Sequence, residues 1–142
     1  DSWLTNASGY IPAHPQTMEI LDSVEELTTK YPGVYAIGDT AGILLLNGMF
    51  LPKAGMLAEE QAHVVARNIA SLIKGEKPNS SFNGQGVCYV DVGDEMAAEG
   101  SGDFYAYPAP VVKLQIPSRE SRKAKHEFER IFEWWFSEYQ PK

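Results

Sequence analysis

A single cysteine, Cys88, stands in 142 residues, so no disulfide can close within the chain, and one thiol says little about redox compartment. Basic residues are also scarce: 12 Lys and Arg face 19 Asp and Glu, for a net charge of −7. Nucleic acid is therefore not an expected partner, because binding phosphates takes a basic surface. No apolar run approaches the roughly 18 residues of a spanning helix, and no signal peptide is visible. No G-x-G-x-x-G follows a strand, so the turn that grips a dinucleotide pyrophosphate is missing. No His, Cys and carboxylate group has metal-ligand spacing, and no metal is expected. The chain begins on Asp1 rather than methionine. A fragment or a cut chain is the expectation from that start, and it would void any inference about compartment from the missing signal.

What remains is an ordinary globular composition, 44% apolar and 22% charged, at a length that buries a real core. Gly9–Ala13 reads as a short edge strand, since Pro12 and Pro15 would spoil a central one. Residues 16–29 mix apolar and acidic positions weakly, as a short helix would. Pro32-Gly33 is a turn signal. It launches Val34–Ile37, a short apolar run bounded by breakers, which predicts a buried parallel strand ending on Gly38-Asp39. Thr40–Pro52 is an unusually apolar loop, of the kind that lies over a ligand or a partner.

The strongest helix runs from about Ala54 to Lys74, closed by Gly75 with Pro78 soon after. Ala54, Ala58, Ala62, Ala66 and Ala70 recur every fourth residue and predict a smooth face for close packing. Glu59, Glu60, Arg67 and Asn68 fall to the wetter faces. Beyond a loop at Asn79–Gly86, Val87–Val92, a Gly-Asp turn and a run into Phe104-Tyr105 predict a hairpin. "PVVKLQIP" predicts a further strand, and Ser118 caps a final helix. That helix carries Phe128, Ile131, Phe132, Trp135 and Tyr139 at helical spacing.

A buried parallel strand ending in Gly-Asp, then a loop and a helix start, is a common ligand arrangement in α/β sheets. Ligands sit off the carboxyl ends of the strands, and a helix N-terminus offers free N–H groups and partial positive charge. As chemistry alone, Asp39 admits two readings: an acceptor for polyol hydroxyls, or a turn residue. Cys88 likewise reads as a reactive thiol or as a small strand hydrophobe. His14 and His63 read as structural or solvent-facing.

The residues themselves narrow this. "GYIPAHPQTME", "YPGVYAIGDTAG" and "LPKAGMLAEEQAHVVARNIA" together resemble the second flavin motif of FAD-dependent pyridine nucleotide-disulfide oxidoreductases. The resemblance implies an α+β fold: the last strand and helix of an FAD domain at residues 1–76, then a strand-rich segment with a terminal helix at 77–142. It implies FAD as cofactor, with Asp39 on the ribityl chain and Gly38 permitting close approach. Lys53, Ala54 and Gly55 would mark the helix start beside the flavin pyrimidine edge, where reduction places negative charge.

"VCYVDVGDEMAAEG" with the tail from Ala109 resembles sulfide:quinone oxidoreductases and flavocytochrome c sulfide dehydrogenases more narrowly. Cys88 would then be catalytic, passing sulfur-derived electrons through FAD to quinone or a cytochrome. The related NADH:quinone reductases share the fold without sulfur chemistry. Phe132, Trp134, Trp135 and Phe136 would enter a membrane interface, with Arg119, Arg122, Lys123, Lys125 and His126 toward headgroups. Glu127, Glu129, Glu133 and Glu138 oppose that. The implied location is peripheral membrane or cytoplasm in a prokaryote. The N-terminal FAD and NAD domains of the same polypeptide are the implied partners, so the chain alone would be inactive and hold FAD weakly or not at all. A non-enzymatic alternative makes the 43–51 loop and aromatic tail interfaces of an interaction module, with homodimerisation.

Overall fold

The computed structural model describes residues 5–29 and 31–138, the last seven by backbone alone. It is a mixed α and β structure in two compact units. Unit 1 comprises residues up to Gly86 together with Gly102–Val111. Unit 2 comprises Val87–Ser101 and the chain from Val112 onward.

In unit 1, β1 (Ile11–Pro12) pairs in parallel with β4 (Ala41–Gly42). Their approach requires a glycine, since a Cβ at Gly42 would stand 2.8 Å from the Tyr10 Cβ. β2 (Leu21–Ser23) pairs antiparallel with β3 (Thr28–Thr29). The helix expected within 16–29 is therefore a hairpin. Met18 and Ile20 are buried two apart, a strand spacing. The Ser23 hydroxyl accepts from the Glu26 N–H at 3.2 Å, at the start of the turn over residues 24–27. Leu27 then turns left-handed, φ +51°, and ends it.

The buried parallel strand expected at Val34–Ile37 does not form. Among the described residues, the segment is extended and bonded along one edge, to residues 18–20, and antiparallel. Ile20 N–H donates to Val34 O and Ala36 N–H to Met18 O, both at 3.0 Å, around the single Glu19–Tyr35 bridge. Ala36 is buried, but Val34 is 45% exposed. Gly38–Thr40 closes the segment as a 3-10 turn. The apolar loop that follows is a tight hairpin with the Leu44–Phe50 bridge near its tip. Its alternation buries Ile43, Leu45 and Leu51 and leaves Leu44 and Leu46 outside.

Helix α1 spans Gly55–Ile73. Its end satisfies two carbonyls at once: Gly75, φ +73°, donates to Leu72 O and Glu76 donates to Ser71 O. The alanine row is not the buried face, since Ala66 and Ala70 are exposed. Leu57, Gln61, Val64 and Asn68 are buried instead. Asn68, expected in solvent, exchanges two hydrogen bonds with the Ser80 backbone at 2.9 and 3.0 Å. Leu57 and Val64 join the core with Met18, Ile20, Ile43, Leu51 and Phe82, and Tyr105 packs edge-on to Phe82.

Unit 2 holds most of a three-stranded sheet ordered β5 (Gln85–Gly93), β6 (Met96–Asp103), β7 (Val111–Leu114). The β5–β6 turn is made by Asp94 and Glu95 with φ +48° and +57°, the left-handed pair that matches strand twist. Ser118 bonds Ala97 in both directions, and its hydroxyl accepts from the Ser121 N–H at 3.0 Å. That cap starts α2 (Arg119–Glu138).

Candidate functional site

The short turn at Gly38–Thr40 packs against the first turns of α1. Gly38, φ +63°, donates its N–H to the Gln61 side-chain oxygen at 2.8 Å. A side chain here would be strained by the left-handed backbone, and its Cβ would touch the Ala58 Cβ at 3.4 Å. Gln61 is 2% exposed, so this bond is the reason a buried amide is tolerated on the inner face of α1. Asp39 itself is exposed.

At the other side of the notch, α1 begins with Ala54 extended as its N-cap, and no side chain caps the first turn. Its leading N–H groups are therefore available to a ligand or to water, with the positive end of the helix dipole behind them. Lys53, one residue earlier, donates its ammonium to the Ala41 carbonyl and lies 4.6 Å above the Tyr10 ring centroid. Desolvation draws the Lys53 pKa down, and the Asp39 charge opposes it. Gly38, Lys53, Ala54 and Gln61 line a gap of only about 10 Å³. Gly38, Lys53 and Ala54 thus meet at one edge of unit 1, with Asp39 and Gly55 next to them in the chain, and that edge is shallow.

Cys88 belongs to unit 2, where it is an exposed free thiol on β5. Its sulfur lies 3.6 Å from where a Gly100 Cβ would be, so the neighbouring glycine leaves the thiol uncovered. Five basic groups of α2, Arg119, Arg122, Lys123, Lys125 and His126, lie against carboxylates. Lys125 and Arg122 both bind Asp91, Lys125 also reaches Glu129, Arg119 meets Glu95, Lys123 meets Glu127, and His126 meets Glu129. The side chains of Phe132, Trp134, Trp135 and Phe136, and all of Tyr139, lie outside the described residues. Among the described residues, no helix is long and apolar enough to cross a membrane, and none forms a group of three or more metal-ligating side chains. His63 sits near Glu59 on α1 at 3.9 Å.

No family model matches the chain, and no curated protein matches it.

One feature escaped the sequence reading. A cavity of about 290 Å³ opens in unit 1 between the Leu44–Asn47 hairpin tip, Phe104–Ala106 and His14. The Tyr105 hydroxyl donates to the Pro15 carbonyl in its wall, and burial pushes the Tyr105 phenol pKa far up. The only sequence signal was the apolar character of Leu44–Leu46.

Proposed function

We propose that this chain is the C-terminal part of an FAD-dependent oxidoreductase of the sulfide:quinone type, contributing one wall of the flavin site. The supporting observation is the meeting of the Gly38-Asp39 turn with the uncapped start of α1, held by the Gly38–Gln61 bond. An exposed carboxylate on a glycine turn can accept hydrogen bonds from a polyol, which fits a ribityl chain. The free first-turn N–H groups fit a carbonyl edge that gains negative charge, and Lys53 adds a nearby cation. FAD, when bound, would carry electron pairs between donor and acceptor. The exposed thiol of Cys88 suits the sulfur-handling role, because nucleophilic attack needs an accessible sulfur.

The shallow gap argues that this wall alone holds flavin weakly, the remainder of the site coming from N-terminal domains of the same polypeptide. Riboflavin titrated into the isotope-labelled chain should shift the amides of Gly38–Thr40 and Gly55–Leu57 at millimolar concentration. Asp39→Ala should abolish those shifts, and no flavin absorbance should survive gel filtration. Shifts that spare both segments, or that persist unchanged in Asp39→Ala, overturn the proposal.

A further inference from the structure

We propose that the 290 Å³ cavity of unit 1 is a binding site for a neutral, two-ring-sized apolar compound bearing a hydrogen-bond acceptor. This inference stands apart from the flavin reading, because it uses neither the Gly38-Asp39 turn nor the start of α1.

Size comes first. An apolar cavity of about 150 Å³ holds one benzene, so this one has room for two rings, near the lower end of small-molecule pockets. Charge comes second. None of the described lining residues is Asp, Glu, Lys or Arg, although 22% of the chain is charged. Leu27, Leu44, Leu46, Phe104, Pro108 and Pro110 are among the apolar residues of its wall. An ionised ligand would lose hydration there with no counter-charge to replace it.

Polarity comes third, and it gives direction. His14 and Asn47 both line the cavity, and each has its acceptor atom already engaged. The His14 Nδ1 accepts from the backbone N–H groups of Gln16 and Thr17 at 3.1 and 3.2 Å. With Nδ1 an acceptor, the neutral ring carries its proton on Nε2. Burial lowers the His14 pKa, against an opposing contribution from Glu19, so the ring stays neutral at physiological pH. The Asn47 Oδ1 accepts from the Met49 N–H at 3.1 Å, leaving its NH₂ group. What both residues have left to offer is N–H, which an acceptor such as a ketone oxygen would answer; Gln16, also in the lining, can donate or accept.

The test compares three ligands of one ring size at pH 7.5 by amide shift titration: 2-acetylnaphthalene, naphthalene and 2-naphthoate. The ketone should perturb Leu44–Asn47 and Phe104–Ala106 and bind about fivefold tighter than naphthalene, the worth of one ordinary hydrogen bond. Naphthoate should bind at least about tenfold more weakly than the ketone. His14→Asn keeps an acceptor for the Gln16 and Thr17 amides but removes the ring donor, and should bring the ketone down toward naphthalene. Equal binding of naphthoate and ketone, no advantage of ketone over naphthalene, or no shift at these residues each overturns the proposal. Should His14→Asn fail to fold, the three-ligand comparison on the unaltered chain decides alone.

Discussion

Replacing Asn68 by alanine removes a two-pronged amide clamp between α1 and the segment that follows it. In the folded chain the Asn68 side chain donates to Ser80 O at 3.0 Å and accepts from Ser80 N at 2.9 Å. Asn68 is 2% exposed, so its own polar atoms have no water to fall back on. Each such bond contributes about 1 kcal/mol net, and the space left by the truncated side chain adds to the loss. Ser80 is half-buried, and water recovers part of what its backbone gives up. The sum is about 2–3 kcal/mol, which at ordinary urea sensitivity lowers the unfolding midpoint of unit 1 by about 1 M. Exchange of the Ser80 amide hydrogen should accelerate in step. Asn68→Asp discriminates further. A carboxylate can still accept from Ser80 N but must face the Ser80 carbonyl, and it buries an uncompensated charge. It should be less stable than Asn68→Ala. A midpoint shift below about 0.3 M for alanine, or an aspartate variant as stable as the parent, would refute the reasoning.

Two glycines with the same left-handed backbone should respond very differently to alanine. At Gly75, φ +73°, an added Cβ meets nothing within 4 Å, so only backbone strain is felt, about 1 kcal/mol by thermal melt. At Gly84, φ +75°, the Cβ would lie 2.3 Å from the Tyr105 ring, and overpacking on top of strain should cost at least about 2 kcal/mol. Equal losses would refute the contact. In unit 2, the Lys125 hydrogen bond is the chief influence holding the Asp91 carboxyl below its ordinary pKa of 3.8, helped by the Arg122 charge. A lowered carboxyl pKa stabilises the fold above the ordinary carboxylate range and loses that contribution as pH falls through the depressed value. Carbon-detected titration should therefore show an Asp91 midpoint below 3.8 that rises in Lys125→Met. An unchanged midpoint in that variant would refute the pairing.

Both helices were legible in the sequence because their signals are local. Gly75 can take the left-handed turn that stops α1, and Ser118 supplies the hydroxyl that starts α2. The β5–β6 hairpin was legible for the same reason, although the turn residues are Asp94 and Glu95 rather than Gly-Asp. Failures came where partners decide. Met18 and Ile20 take strand spacing because residues 34–36 lie alongside them, a pairing no window over 16–29 reveals. Val34–Ile37 has strand composition, yet one bonded edge leaves it a single bridge. On α1 the repeated alanines do not mark the buried face, which carries Gln61 and Asn68. Each of these polar residues is buried because it satisfies a distant backbone group, and spacing carries no trace of that. The order of turn, loop and helix start from Gly38 to Gly55 was legible because each signal is local. The cavity was not, since it is assembled from residues 14–16, Leu27, residues 44–47 and residues 104–110, four separate stretches of the chain.

The return of Gly102–Val111 to unit 1, between two stretches of unit 2, means that neither body is an uninterrupted piece of polypeptide. Stopping translation after Gly86 would strip unit 1 of Phe104 and Tyr105, and with them the ring against Phe82 and the tie to Pro15. Expression of either half by simple truncation should therefore yield insoluble material. A workable dissection would splice Gly86 directly to Gly102 and so excise the β5–β6 excursion as a loop.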